Sequence, residues 1–245
     1  MQKNIVLLHG WGMNKAVWQL VNDALQSNPD LHVKALNLPG FGGADWEQDS
    51  YTLTAAADEL AKQLEDDSIL VAWSMAGLFA IDIATRYPQK VAKIILVGSS
   101  PFFLGSAQWN GIKPDVLQQF MEALTTNPTK TVERFLAIQA MGSEHAKDDI
   151  KCLRTWLSQE APASPIALAG GLNLLKECDL RLQFAALKMP ILGIFGRLDA
   201  LVPVKVVDEL HKLNPAFRAE ILPKASHAPF ISHREDFVSI LKSML

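Results

Sequence analysis

The stretch Leu70-Val71-Ala72-Trp73-Ser74-Met75-Ala76-Gly77 places one serine between two patterns of different period. The run before Ser74 is continuously apolar, which is typical of a strand buried on both faces. From Met75 onward, apolar residues recur at helical spacing, and the small residues Ala72 and Ala76 flank the serine at two positions on either side. This pattern is typical of a nucleophile elbow, a sharp strand-to-helix turn that presents a serine hydroxyl. A serine that only caps the following helix would give a similar local pattern. Residues elsewhere in the chain are therefore needed to distinguish a nucleophile from a helix cap.

Composition excludes several classes of function. The chain has 245 residues, of which 49% are hydrophobic and 20% charged, and its formal net charge is −3. A general nucleic-acid binder would need a broad basic surface, and no apolar run is long enough to span a membrane. Cys152 and Cys178 lie outside any metal-ligand spacing, so we expect neither a metal nor another cofactor. Without a secretory signal pattern, we expect a cytoplasmic protein with reduced thiols.

Strand patterns alternate with helix patterns over residues 1–101 and 181–245. This alternation predicts an α/β fold, a mostly parallel doubly wound sheet. The predicted strands are 5–8, 32–36, 69–73, 91–97, 189–195 and 217–222. Residues 102–180 interrupt the alternation with amphipathic helical patterns at 114–125, 128–141, 144–158 and 165–177. We expect this inserted segment to be a helical lid of the same domain, over the carboxyl edge of the sheet, where ligands bind in such folds.

A base and an acid follow the serine in the order that a hydrolase of this fold needs. Asp199 comes just after one predicted strand and His227 just after the next. In α/β hydrolases the order is serine, acid, histidine, each at the carboxyl end of a strand. We therefore predict that His227 accepts the proton of Ser74 and that Asp199 orients the imidazole. Considered singly, Asp199 could also be an aspartate of a turn, and His227 a loop histidine that caps nearby backbone. His233 is the second choice for the base.

Two backbone groups are candidates for an oxyanion hole. The N–H of Met75 lies at the start of the helix that follows the serine, where donors are free. The loop after the first strand, His9-Gly10-Trp11-Gly12, places the N–H of Trp11 in position to supply a second donor. Packing of the Trp11 side chain under the lid is an alternative that is compatible with this role. The glycines near residues 10 and 40 fit neither nucleotide-binding fingerprint.

Taken together, these motifs resemble the α/β-hydrolase superfamily. The resemblance is carried by His9-Gly10-Trp11-Gly12, Leu38-Pro39-Gly40-Phe41-Gly42, the turn at Ser74, Asp199 and His227. Within this superfamily, further stretches of the sequence resemble the family of pimeloyl-[acyl-carrier protein] methyl ester esterases. These stretches are 99–102, 111–117, 131–137, 201–203 and 227–233. The chain departs from the family at Ala72 and Ala76, where glycine is usual.

The resemblance implies a serine carboxylesterase of biotin biosynthesis without a cofactor. Such enzymes release methanol from the methyl ester at the far end of a pimeloyl chain that acyl carrier protein carries as a thioester. The substrate-binding residues that it implies are Trp11, Ser74, Met75, Phe135, Leu136, Ala137, Ile138, Gln139 and His227. The residues themselves leave ordinary packing of the lid equally open for each of the positions 135–139.

Four cations on the lid are candidates for docking the carrier protein, which is strongly acidic. They are Lys130, Arg134, Lys147 and Lys151, spaced four apart in two pairs. Acidic residues of the same segment offset these charges, so a solvated helix face is the alternative. The resemblance favours docking, because the positions match basic residues of the family's carrier-binding surface. We expect a monomer with this protein partner and with no nucleic-acid or membrane partner.

Three other functions remain open at this stage. A broad short-chain carboxylesterase would use the same three residues but would be indifferent to the carrier. A lyase of the same fold would need basic residues inside the pocket, and the residues that flank Ser74 offer none. A binding module without catalysis is the third alternative, against which the intact set of three residues argues.

Overall fold

Six parallel strands form the centre of the molecule. The computed structural model describes residues 2–141 and 143–245. The strands are β1 (Lys3–Leu8), β2 (Leu31–Leu36), β3 (Ser68–Trp73), β4 (Val91–Val97), β5 (Ile191–Gly196) and β6 (Arg218–Leu222). Their order in the sheet is β2-β1-β3-β4-β5-β6, and every neighbouring pair is parallel. The predicted α/β class and parallel sheet are confirmed.

Helices cover both faces of this sheet. They are α1 (Gln19–Gln26), α2 (Leu53–Ala61), α3 (Ala76–Arg86), α9 (Val206–Leu213), α10 (Pro229–Ser232) and α11 (Arg234–Met244). The side chains of β3 alternate between the two layers: Leu70 packs in the cluster that contains α2 and α3, and Val71 in the cluster that contains α1 and α11. Because β3 is buried along its whole length, its sequence reads as a continuous apolar run.

The inserted segment between β4 and β5 is helical. Its helices are α4 (Pro114–Thr126), α5 (Pro128–Gln139), α6 (Ala146–Leu157) and α7 (Pro165–Glu177), and α8 (Arg181–Ala186) follows it. Proline in the first turn and a side-chain cap from Asn127 or Ser164 fix the starts of α5 and α7. Helix α5 joins the two layers, because Phe135 packs in one core cluster and the next residue, Leu136, in the other.

The structure differs from the sequence prediction mainly in short elements. Helices α8 and α10 are not predicted, because six and four residues give too little periodicity to detect. Helix α2 ends at Ala61, after which single turns continue the chain. Across the described residues, no helix has both the length and the hydropathy that crossing a membrane requires.

Candidate active site

The turn at Ser74 has the strained geometry of a nucleophile elbow. Its φ is +56°, in the left-handed region that residues with a side chain rarely adopt. The backbone N–H of Ser74 donates to the carbonyl of Val97 at 2.9 Å, and the hydroxyl of Ser99 donates to the carbonyl of Ser74 at 2.6 Å. Gly77 permits this close approach, since a β-carbon there would lie 2.0 Å from Ser99 Oγ. The end of β4 therefore holds the turn.

The structure brings Ser74, His227 and Asp199 into one hydrogen-bonded series. Ser74 Oγ lies 2.9 Å from His227 Nε2, and His227 Nδ1 lies 2.7 Å from Asp199 Oδ2. The other carboxylate oxygen of Asp199 accepts from the backbone N–H groups of Leu201 and Val202, both at 2.8 Å. A carboxylate can only accept, so Nδ1 carries the imidazole proton and Nε2 is free to accept from the serine hydroxyl.

The loop that carries His227 is held from three sides. Trp73 Nε1 donates to the carbonyl of His227 at 2.9 Å, and the N–H of Leu198 donates to the carbonyl of Ala225 at 2.9 Å. The third contact comes from the inserted segment, where the carbonyl of Met141 accepts from Ser226 Oγ at 2.6 Å. Nothing local in the sequence signals these long-range contacts. His233, the second choice for the base, hydrogen-bonds with the adjacent Ser232 side chain instead.

His9 shapes the loop beside the serine. Its Nε2 accepts from the N–H of Leu38 at 3.0 Å, so Nδ1 carries the proton and donates to the carbonyl of Gly10 at 2.8 Å. Burial lowers the pKa of His9 to about 4, so the ring is neutral at physiological pH. Gly10 adjoins the serine, since a β-carbon on it would lie 3.0 Å from Ser74 Cβ. This contact brings Trp11 next to the elbow.

Two backbone donors beside Ser74 have no hydrogen-bond partner among the described residues. Within residues 2–141 and 143–245, neither the N–H of Trp11 nor that of Met75 donates a hydrogen bond. Met75 directly precedes α3, so its N–H belongs to the positive end of that helix. Free donors at these two places are what an oxyanion hole requires.

The Trp11 side chain packs under α7, as the packing alternative predicts. Its indole N–H donates to the carbonyl of Leu168 at 2.8 Å, and the ring is fully buried. Gly171 allows α7 to come this close, because a β-carbon there would lie 2.6 Å from Trp11 Cδ1 and 3.1 Å from Met75 Sδ. The backbone N–H of Trp11 stays free of this contact, so packing and oxyanion binding remain compatible.

The residues 135–139 lie on different faces of α5. Phe135 packs edge-on against Trp11 with ring centroids 4.9 Å apart, and Gln139, four residues later, is buried on the same face. Leu136 packs in the opposite core cluster, Ala137 is exposed, and Ile138 is half-buried. The Oε1 of Gln139 is buried and has no hydrogen-bond partner among the described residues. Phe135 and Gln139 thus share the side of α5 that contacts Trp11.

The four candidate docking cations lie on the exposed surface of α5 and α6. Lys130, Arg134, Lys147 and Lys151 are all exposed. In the part of the chain that the structure describes, none of the four forms an ion pair within 4.0 Å, whereas Arg154 pairs with Glu133 at 3.9 Å. Arg134 differs from the lysines, because its Cζ lies 5.3 Å from the centroid of the Phe120 ring.

Comparison with known proteins places this site in a family. The family model for the alpha/beta hydrolase fold matches residues 3–234. The chain is 45% identical over 240 residues to the pimeloyl-[acyl-carrier protein] methyl ester esterase of Aeromonas hydrophila, covering 98% of this chain and 94% of that protein. It is also 43% identical over 244 residues to the protein of the same name from Vibrio vulnificus, covering 98% and 93%. The chain belongs to the α/β-hydrolase family, in the group of these esterases.

Solved structures confirm the hydrolase fold at lower sequence identity. An esterase from Exiguobacterium antarcticum superposes with a TM-score of 0.87 at 22% identity, covering 99% of this chain and 91% of that one. A bromoperoxidase from Bacillus anthracis gives a TM-score of 0.84 at 19% identity, covering 98% and 91%. At such identities the likeness concerns the arrangement of the chain, and the chemistry has to be argued from the site.

Proposed function

We propose that this α/β hydrolase is a serine carboxylesterase that converts pimeloyl-[acyl-carrier protein] methyl ester to pimeloyl-[acyl-carrier protein] and methanol in biotin biosynthesis. The observation that carries the chemistry is the 2.9 Å approach of Ser74 Oγ to His227 Nε2 at a turn where φ is +56°. The substrate is inferred from the 43–45% identical relatives. Ser74, His227 and Asp199 are the proposed catalytic residues.

The geometry accounts for both halves of ester hydrolysis. Ser74 Oγ attacks the ester carbonyl while His227 Nε2 takes its proton, and Asp199 stabilises the imidazolium. The N–H groups of Met75 and Trp11 stabilise the oxyanion. The intermediate collapses when His227 returns the proton to the methoxide oxygen, so methanol leaves and the acyl group stays on Ser74. His227 then activates a water that attacks the acyl-enzyme, and the free carboxylic acid is released.

The inserted segment 102–180 serves in this proposal as the lid of a single domain. Phe135 contacts Trp11 from this segment, and we assign Phe135, Trp11 and Met75 to the wall of the acyl slot. Leu136 packs in the other core cluster and Ala137 is exposed, so the expectation that all of 135–139 line the slot is not kept. The slot has to place the methyl ester, and not the thioester, at Ser74, so selectivity comes from positioning. The Leu168 carbonyl, which binds the Trp11 indole, and the buried amide of Gln139 on α5 are neutral groups, which disfavours a lyase that grips a polycarboxylate.

Lys130, Arg134, Lys147 and Lys151 form the proposed docking surface for the carrier protein. Their lack of ion pairs among the described residues leaves all four cations available, which favours docking over a helix face with internal pairing. The enzyme would then act as a cytoplasmic monomer with this one protein partner and with no resident metal or cofactor.

The test compares pimeloyl-[acyl-carrier protein] methyl ester with free monomethyl pimelate at low and higher salt. We expect a strong preference for the carrier-linked ester that weakens with salt, because salt screens exposed charges. Ser74→Ala provides the blank. Equal turnover of the two substrates would reduce the function to that of a broad carboxylesterase, and no turnover of either would reject esterase chemistry.

A further inference from the structure

A continuous stack of side chains leads from beside the elbow to the surface of the lid; its members are Trp11, Phe135, Phe120 and Arg134. Trp11 shares with the Met75 side chain the space above Gly171. Phe135 packs edge-on against Trp11 at 4.9 Å, and Phe120 of α4 packs edge-on against Phe135 at 5.6 Å. The guanidinium of the exposed Arg134 lies over the outer face of this series, 5.3 Å from the Phe120 centroid.

The aromatic side chains of the stack and the nucleophile are buried in the free enzyme. Ser74 is only 4% exposed and Phe135 likewise 4%, while Trp11 is fully buried. Trp11 and Phe135 leave little exposed surface beside the elbow, so these side chains have to shift when an acyl chain binds there.

We propose that Arg134, through its contact with Phe120, is the residue that makes the enzyme discriminate against free esters. In the absence of the carrier, the guanidinium holds Phe120 and Phe135 over the acyl slot. When the acidic carrier docks, its carboxylates draw the guanidinium away from the ring, and the aromatic pair can then admit the acyl chain. This inference rests on the proposed function and adds a second role for one residue of the docking surface.

The surroundings of the stack agree with a route for an apolar chain. An apolar cleft of about 470 Å³ opens between α4 and α7. Its lining includes Met121, adjacent to Phe120, and Leu168, whose carbonyl binds the Trp11 indole. Among the four docking cations, Arg134 is the one that the structure places over an aromatic ring. Arg134 therefore differs from the three lysines in its contact with the Phe120 ring as well as in its side-chain type.

The experiment measures kcat/KM of three variants on free monomethyl pimelate and on the carrier-linked methyl ester. Arg134→Gln removes both charge and stacking, Arg134→Lys keeps the charge but loses the planar guanidinium, and Lys113→Gln is the control. Lys113 is an exposed cation directly before α4 and outside the docking surface. Thermal unfolding of each variant confirms that the fold is intact.

We expect Arg134→Gln to raise kcat/KM for the free ester about two- to fivefold, which corresponds to the loss of one exposed cation–π contact. Its turnover of the carrier-linked ester falls, so the two substrates respond in opposite directions. Arg134→Lys gives a smaller rise for the free ester, and Lys113→Gln changes neither. A free-ester rate that is unchanged or lower in Arg134→Gln would overturn the proposal and leave Arg134 as a docking charge.

Failure of the gating role of Arg134 can be distinguished from failure of the proposed function. If the wild-type enzyme shows no preference for the carrier-linked ester, carrier specificity itself fails. If the preference exists but both substrates decline together in Arg134→Gln, only the gating role is rejected. Phe120→Leu supplies an independent check, since it removes the ring but keeps Arg134, and we expect it also to favour the free ester.

Discussion

Ser74 holds a backbone conformation that costs on the order of 1–3 kcal/mol for a residue with a side chain, and its neighbours keep it there. The turn depends on Gly77, where a β-carbon would lie 2.0 Å from Ser99 Oγ. We expect Gly77→Ala to destabilise the protein by about 1–3 kcal/mol through overpacking and to lower kcat. Urea unfolding and ester kinetics measure the two effects.

The prediction is checked with a double variant that combines Gly77→Ala with Ser99→Gly. It removes both Ser99 atoms that the new methyl would approach, so the double variant should recover part of the lost stability. A double variant no more stable than Gly77→Ala alone would show that the strain lies elsewhere.

Asp199 sets the tautomer of His227. In Asp199→Asn the amide oxygen can keep the bonds from Leu201 and Val202, and the amide N–H₂ then faces His227 Nδ1. Nδ1 would have to accept, so the proton moves to Nε2, which can no longer take the proton of Ser74. We expect kcat to fall by roughly four orders of magnitude. The control is Asp208→Asn at an exposed position of α9; equal activity of the two variants would contradict the assignment.

His9 makes stability depend on pH. Its pKa is about 4 in the folded protein and 6.5 in an ordinary environment, because the buried ring resists protonation. Between these values the unfolded state binds more protons, so stability falls as the pH drops. From pH 7 to pH 5 the contribution of His9 is a loss of about 2 kcal/mol.

The check is urea unfolding of the wild type and of His9→Gln at both pH values. The Gln variant should lose about 2 kcal/mol less than the wild type over this interval, since its amide does not titrate and can still accept from Leu38. Parallel losses in the two proteins would assign the pH dependence to other groups.

For single residues, the sequence predicts which side chains are catalytic better than it predicts which residues hold them in place. Ser74, Asp199 and His227 follow strand ends in an order that the fold requires, so their positions are predictable and the structure brings them together. Ser99, Ser226 and Phe120 carry no such signal. Each acts through a contact with a residue distant in sequence, and only the folded chain creates those contacts.

At the scale of elements, periodicity predicts the strands and long helices to within a few residues. Prolines 114, 128 and 165 mark the starts of lid helices because their φ suits a first turn. The sequence predicts the lid helices. It does not predict how the lid attaches to the core, because this attachment depends on tertiary packing. One such attachment is the bond from Ser226 Oγ to the carbonyl of Met141.

This bond couples the lid to the loop of His227. In Ser226→Ala the loop keeps its two contacts with the core but loses the one with the lid. We expect kcat to fall about three- to tenfold, the range for one lost hydrogen bond, with KM nearly unchanged. The control is Ser232→Ala, whose hydroxyl bonds within its own helical turn. Similar kinetics in both variants would indicate that the Ser226 hydroxyl has no positioning role.

At the scale of the molecule, a chain with net charge −3 has to attract an acidic partner through a local patch. The proposed docking surface is exposed on α5 and α6, and its charges are unpaired within the described residues, so we expect long-range attraction to act through these few cations. In Lys147→Glu combined with Lys151→Glu, we expect the ratio of carrier-linked to free-ester kcat/KM to fall about tenfold or more at low salt and to change little at high salt. The matched control is Lys205→Glu with Lys212→Glu, which makes the same change in net charge on and beside α9. If the control pair lowered the ratio equally, overall charge and not the lid patch would govern encounter, and the docking surface would have to be sought elsewhere on the molecule.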